Sequence, residues 1–257
     1  MKMRMTVVAT SVMALWLAGC SATGGGGVSA DGKVGAVMDM AKAVTVSEAD
    51  LKNASLQLRA AEDKQARVAP PKNKYAQRLA RLTAKHVNED GMTLNFKVYL
   101  SPQINANATP DGSIRVYSGL MDLMTDDEMR GIIGHEIGHV KLGHSMSAMR
   151  TAYMASAGRK AAASSSNVGG ALAASELGAM GEALVNSQFS QSQETSSDDY
   201  GLAFMKKHGY KVKGMESAFR KLEAQRGGKK GSAMENMMST HPDPGARADR
   251  MRDMASK

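Results

Sequence analysis

Hydrophobic and polar residues follow two different periods along this chain, which together predict a mostly helical α+β fold with a small sheet. Residues 94–100 alternate apolar and polar side chains, as a half-buried strand does. A turn at residues 109–112 and a second short strand at 114–117 follow. Helical spacing of apolar residues predicts helices at residues 34–67, 213–226 and 246–254. A further helix face comprises Tyr75, Leu79, Leu82 and His86, with His86 as its polar end.

The strongest helical prediction begins after Thr125, which forms a capping box with Glu128. The apolar stripe that faces the core comprises Met129, Ile133, Ile137 and Val140. Gly134, Gly138 and Gly143 each cost about 1 kcal/mol relative to alanine in a helix. We therefore expect another element, either a packed strand or the substrate backbone, to approach this helix closely. The sheet is predicted to lie beside it.

The segment that follows, residues 145–192, is rich in alanine, serine and glycine. Its composition predicts two helical pieces separated by a break at residues 164–170. The second piece is expected to run from residue 174 through residue 193 and onward.

The N-terminus has the pattern of a bacterial export signal. Lys2 and Arg4 precede an apolar segment at residues 7–17, which is too short to span a bilayer as a permanent helix. Residues 17–20 end in Cys20 and resemble the lipobox of bacterial lipoproteins, in which the cysteine is lipidated. We predict a lipoprotein signal peptide at residues 1–19, a lipidated flexible tether at 20–30 and one domain at 31–257. The alternative is an ordinary secretory signal with a chance cysteine.

Charge and cysteine content argue against a disulfide-bonded protein and against a nucleic-acid-binding protein. Cys20 is the only cysteine among 257 residues, so an internal disulfide is excluded. The formal net charge is +8, but the two lysine pairs, at residues 206–207 and 229–230, have no interleaved aromatic residues. We therefore expect no nucleic-acid partner. The basic residues are interpreted as a solvated face, with contact to an anionic lipid surface as the alternative.

His135, Glu136 and His139 form the H-E-x-x-H pattern, which is typical of a helical zinc site. Two histidines four residues apart lie on one face of a helix, so their ring nitrogens can bind one Zn²⁺ ion. The glutamate between them is placed to accept a proton from the attacking water. The alternative is a buried helix that carries two histidines by chance, and the capped helix context argues against it.

A catalytic zinc site needs a third protein ligand. Glu194 is the best candidate, because Asp198 lies four residues later on the same helix face and can hydrogen-bond the far nitrogen of a zinc histidine. Glu194 as an ordinary polar helix residue is the alternative. His144, on a continuous helix, would point away from the other histidines and would support the ligands or end the helix.

Residues 118–120, residues 134–140 and His144 together resemble the motif of the HtpX/CAAX-prenyl-protease family of zinc metallopeptidases, and the resemblance spans residues 73–252. It implies a gluzincin-type fold, one zinc ion per chain and Glu194 as the third ligand, although Ser197 replaces the family's alanine. It also implies substrate binding by Asn105 and Ala106. The family's C-terminal element matches His241 and Arg247.

The leading hypothesis is a zinc endopeptidase, lipid-anchored at the outer membrane and facing the periplasm of a Gram-negative bacterium. The family resemblance implies unfolded or misassembled envelope proteins as substrates. Glu136 would be the general base, and His241, Arg247 or Tyr200 would stabilise the oxyanion. His241 has a second interpretation, as a removable fourth ligand that blocks the zinc. The alternative functions are a chaperone-like binding lipoprotein and an amidase acting on cell-wall peptides.

Overall fold

The computed structural model describes residues 46–164, 176–185, 187–226 and 237–255, and within them the chain has the predicted mostly helical α+β fold. The helices are α1 (Glu48–Gln65), α2 (Lys74–Thr83), α3 (Ser118–Leu123), α4 (Asp126–Lys141), α5 (His144–Ser164), α6 (Glu176–Val185), α7 (Gln191–Lys207), α8 (Lys213–Gln225) and α9 (Pro244–Ala255). The strands are β1 (Asn88–Glu89), β2 (Met92–Thr93), β3 (Asn95–Tyr99), β4 (Ala106–Ala108) and β5 (Ser113–Tyr117). The predicted signal peptide, the predicted tether and Cys20 lie outside the described residues.

The sheet is small and has β5 at its centre. β5 pairs in parallel with β3 and antiparallel with β4, so β4 is an edge strand of this sheet. A turn in which Gly112 N–H donates to the Thr109 carbonyl connects β4 to β5. Val98, Ile114 and Val116 face the main core, which the sheet shares with α4, α7, α8 and α9. The sheet therefore lies beside α4, as predicted.

Helix α4 begins with the predicted capping box. Thr125 Oγ1 accepts from the Glu128 N–H, and the Glu128 carboxylate accepts from the Thr125 N–H. The stripe residues Met129, Ile133 and Ile137 are fully buried, whereas Val140 at the end of the helix is only half-buried. Because nearly the whole helix is enclosed, its two histidines are held in a water-poor environment.

The glycines of α4 allow close contact with α7, a helix, and not with a strand or the substrate. A Cβ atom added at Gly134 would lie 2.8 Å from the Phe204 ring and 3.2 Å from the Gly201 Cα. A Cβ at Gly138 would lie 3.1 Å from the Ser197 Cα. Gly143 has a different role from the one predicted, since it has a φ of +74° and no atom within 4 Å of an added Cβ. It ends the helix by reversing the chain.

Helix α1 joins the rest of the fold through buried polar contacts. Asp63 accepts two hydrogen bonds from the Arg115 guanidinium, at 2.9 and 3.0 Å, and another from the Tyr99 hydroxyl. Burial alone would raise the pKa of Asp63, but the hydrogen bonds from Arg115, Lys97 and Tyr99 hold it well below its ordinary value. A second apolar cluster, centred on Leu51, packs α1 against α5 and α6.

Two sequence predictions need correction. Helix α2 ends at Thr83, so His86 lies beyond it and is fully buried, where it contacts Glu89 at 2.8 Å and the Tyr210 hydroxyl at 2.8 Å. Burial lowers the pKa of His86. The helix predicted from residue 174 onward is two helices, because residues 187–190 separate α6 from α7. The predicted break at 164–170 lies outside the described residues except for Ser164, the last residue of α5.

Among the helices that the structure describes, none combines the length and the apolar character that crossing a bilayer requires.

The close contact between α4 and α7 gives a test of stability. We expect Gly134→Ala to lower the free energy of unfolding by about 1–2 kcal/mol, since overpacking against Phe204 and Gly201 outweighs the gain in helix propensity. Gly178→Ala is the matched control, because a Cβ added at this position of α6 would have no atom within 4 Å. Its free energy of unfolding should rise by up to about 1 kcal/mol. Urea unfolding measures both, and equal stabilisation by the two substitutions would contradict the packing argument.

Candidate metal centre

Four side chains from three parts of the chain converge in the interior. Helix α4 supplies His135 and His139, α7 supplies Glu194, and the segment before α9 supplies His241; all four are buried. The Nε2 atoms of the two α4 histidines lie 3.0 Å apart. Glu194 Oε1 lies 3.2 Å from His139 Nε2 and 3.0 Å from His241 Nδ1. One ligand atom from each residue lies within 4.8 Å of the others.

These separations fit a tetrahedral metal ion. Ligand atoms at roughly 2.0–2.1 Å from such an ion lie about 3.3 Å from one another. The distances among His135, His139, Glu194 and His241 range from 3.0 Å to 3.7 Å. His135 donates through Nδ1 to Asp198 Oδ1 at 2.8 Å, which leaves the Nε2 lone pair facing the cluster. The side chains therefore form a site that could hold a metal ion.

Asp198 and Arg247 support this cluster. The Arg247 guanidinium donates to both oxygens of Asp198, at 2.9 and 2.6 Å, and also contacts Glu194. Burial would raise the pKa of Asp198, but the charge of Arg247 and the hydrogen bond from His135 lower it. The oxyanion role considered for Arg247 does not fit, since the guanidinium is engaged with two buried carboxylates and packs over Phe219. Arg247 is a positioning residue.

His144 lies close to the cluster because α4 does not continue through it. The chain reverses at Gly143, and His144 begins α5 with its Nδ1 3.3 Å from the His139 Nδ1 and 3.1 Å from the Ser197 hydroxyl. The prediction that His144 points away assumed a continuous helix and is wrong. Its contact is with the far nitrogen of His139, so it can fix the orientation of that ring.

Glu136 is buried and points into a cleft. Its Oε1 atom has no hydrogen-bond partner among the described residues and lies 3.7 Å from His241 Nε2. Glu136, His241 and Phe189 all line this cleft. A carboxylate oxygen without a hydrogen-bond partner, next to a metal-binding cluster and on a residue that lines a cleft, can accept a proton from a water molecule.

Of the two predicted substrate residues, Asn105 lines the same cleft and Ala106 does not. The Oδ1 atom of Asn105 has no partner among the described residues. Ala106 begins the edge strand β4 and is fully buried. Tyr200, the third candidate for the oxyanion, donates its hydroxyl to Asp90 at 2.6 Å and lies outside the metal cluster and the cleft lining.

Sequence reasoning missed several residues of the site. The Phe189 ring packs against the His139 ring with centroids 3.9 Å apart, although it lies on no helix. Arg59 and Glu62 of α1 and Ser145 of α5 also line the cleft. Their sequence positions carry no local signal for this, because only the tertiary fold brings α1 and α5 to the site.

Comparisons with known proteins agree with this arrangement. The family model described as peptidase family M48 matches residues 70–255. Metalloprotease LoiP of Escherichia coli is 40% identical over 257 residues, covering 100% of this chain and 98% of LoiP. Metalloprotease YcaL of the same organism is 36% identical over 254 residues, covering 98% of each chain. Protease HtpX of Shewanella frigidimarina is 31% identical over 81 residues, covering 30% of this chain and 28% of HtpX. The chain therefore belongs to peptidase family M48 and is a metallopeptidase.

Proposed function

We propose that this protein is a lipid-anchored zinc endopeptidase that faces the periplasm and hydrolyses misfolded or misassembled envelope proteins. The observation that carries the peptidase chemistry is the buried, unpartnered Oε1 of Glu136 beside a cluster of metal-binding side chains. A protein that only bound its partners would gain nothing from such a carboxylate, since a buried polar atom without a partner costs about 1–3 kcal/mol.

His135, His139 and Glu194 would hold the zinc ion. When bound, zinc polarises the scissile carbonyl and makes water a stronger nucleophile. Burial would raise the pKa of Glu194, but His241 and His135 hold it well below its ordinary value. The ion pair with Arg247 also favours the ionised form of the Glu194 carboxylate, which is the form that binds a metal ion.

Glu136 would move the proton in the reaction. Its carboxylate accepts a proton from the attacking water and then donates it to the leaving amine. The helix α4 backbone fixes its position, and a substrate peptide would lie extended beside β4. Main-chain pairing with an edge strand would orient the peptide with little dependence on its sequence.

His241 would be a removable fourth ligand. Its Nδ1 lies 3.3 Å from His135 Nε2 and 3.0 Å from Glu194 Oε1, which places it among the metal ligands. Substrate and His241 would then compete for the same coordination position on the zinc ion. The place of Nδ1 among the ligand atoms supports this role, whereas oxyanion stabilisation would use Nε2, which lies 3.7 Å from Glu136 Oε1.

The cellular location is proposed from the N-terminal sequence. Residues 17–20 resemble a lipobox, Cys20 would carry the lipid, and Ser21 favours the outer membrane. The resemblance to LoiP and YcaL extends over nearly the whole of each chain. Misfolded envelope proteins are proposed as substrates because an anchored protease would meet them there.

Glu136→Gln tests the chemistry. The amide cannot accept a proton, so we expect cleavage of unfolded casein to fall by about 10²–10⁴-fold while zinc content stays unchanged. Purified peptidoglycan, assayed in parallel with a chelator control, tests the amidase alternative. Wild-type turnover in the variant would contradict the general-base role, and hydrolysis of peptidoglycan alone would contradict the endopeptidase function.

A pair of variants tests the ligand assignment. We expect His241→Ala to keep its zinc and to cleave a short unstructured peptide several-fold faster, because the competing ligand is removed. Glu194→Ala should lose zinc after dialysis, whereas Glu182→Ala, an exposed glutamate of α6, should not. Metal analysis and steady-state kinetics give both results. Slower turnover of the His241 variant at full zinc content would instead assign that residue to catalysis.

Cys20→Ser tests the anchor. Without the thiol no lipid can be attached, so we expect the variant to be unprocessed or to fractionate away from membranes. Metabolic labelling with a fatty acid and membrane fractionation measure this outcome. Normal processing of the wild-type chain at another position, without lipid label, would refute the lipobox interpretation.

A further inference from the structure

The edge strand β4 and helix α5 both contribute residues to the cleft lining. β4 pairs with β5 alone among the described strands, so its outer edge carries unpaired backbone groups. Asn105, Asn107 and Ala108 line the cleft on this side. An extended peptide presents main-chain N–H and C=O groups along both of its edges. β4 can pair with one of these edges, which leaves the other facing α5.

Ser145 lies in the wall contributed by α5. Its side chain is 2% exposed, and its Oγ atom has no hydrogen-bond partner among the described residues. A second serine lines the same cleft, but the hydroxyl of Ser187 donates to the Leu184 carbonyl at 2.7 Å. A buried hydroxyl without a partner costs about 1–3 kcal/mol, so the fold itself gives no reason for serine at position 145.

We propose that Ser145 binds the main chain of the substrate, on the edge of the peptide that faces away from β4. A hydroxyl both donates and accepts, so it can pair with a peptide N–H or C=O. The cleft wall near it is largely apolar, with Ala148, Leu184 and Phe189. The polar group that every peptide brings to such a wall, whatever its sequence, is a main-chain amide.

This inference rests on the proposed peptidase function and adds a substrate contact to it. Ser145 follows His144, whose imidazole contacts His139, so α5 connects the metal cluster to the peptide contact. Ser145 is therefore placed to hold the substrate in register with Glu136, which lines the same cleft. The proposed hydrogen bond from Ser145 forms in the enzyme–substrate complex and persists in the transition state. Its loss should therefore raise KM and leave kcat nearly unchanged.

Ser145→Ala and Ser187→Ala, assayed on a set of quenched fluorescent peptides that differ in side chains, test the proposal. We expect KM to rise about fivefold to twentyfold for every peptide in the Ser145 variant and to stay unchanged in the Ser187 variant. Zinc content should match that of the wild type in both variants, and the urea midpoint should not fall in Ser145→Ala, because the substitution removes a buried hydroxyl without a partner. Unchanged KM in the Ser145 variant, or a loss confined to peptides with one kind of polar side chain, would overturn the proposal.

Substrates in which single amides are replaced by esters locate the contact. One ester position should weaken cleavage by the wild type and cause no further loss in Ser145→Ala, as expected for two partners of one hydrogen bond. Additive losses at every position would refute a main-chain contact. If the wild type cleaves no peptide, the peptidase function fails, and binding of labelled peptide to Glu136→Gln with and without Ser145→Ala then decides the Ser145 contact separately.

Discussion

The close contact between α4 and α7 is the constraint on which the site depends. Helices packed through ordinary side chains lie about 8–10 Å apart, and Asp198 is too short to reach far across such a gap. Gly134 and Gly138 leave no side chains between the two helices. Gly201 does the same on α7, where an added Cβ would lie 3.1 Å from the backbone nitrogen of His135. Metal binding therefore depends on the absence of side chains as much as on the ligands.

The electrostatics of the interior follow from this contact. Glu136, Glu194 and Asp198 are three carboxylates buried in one region, and Arg247 is the guanidinium that neutralises part of their charge. Removing charges from water is costly unless they are paired. One guanidinium among three carboxylates leaves two negative charges, which a divalent cation balances. Burial would lower the pKa of His241, but the negative charges of Glu194 and Glu136 raise it, because they stabilise the protonated imidazole.

The sequence predicted the features that depend on local period and also the contact of Asp198 with a zinc histidine, but it missed most other contacts between distant elements. The capping box at Thr125 and the common face of His135 and His139 follow from helix geometry, which neighbouring residues determine. The edge position of β4 and the roles of Arg247 and Ser145 depend on which elements meet, and no short pattern records that. The prediction that His144 points away from the other histidines failed because Gly143, with its φ of +74°, turns the chain between α4 and α5. The expected supporting role of His144 agrees with its contact to His139.

The guanidinium of Arg247 also links the metal-binding residues to the rest of the fold. In small zinc modules the ion is the element that brings the ligands together, so the chain folds only when it is loaded. Here Glu194 and Asp198 are already held by Arg247, and His135 is already oriented by Asp198. The protein's own side chains therefore hold two of the metal-binding residues in place, so a change at Arg247 would disturb the site although Arg247 is not itself a ligand.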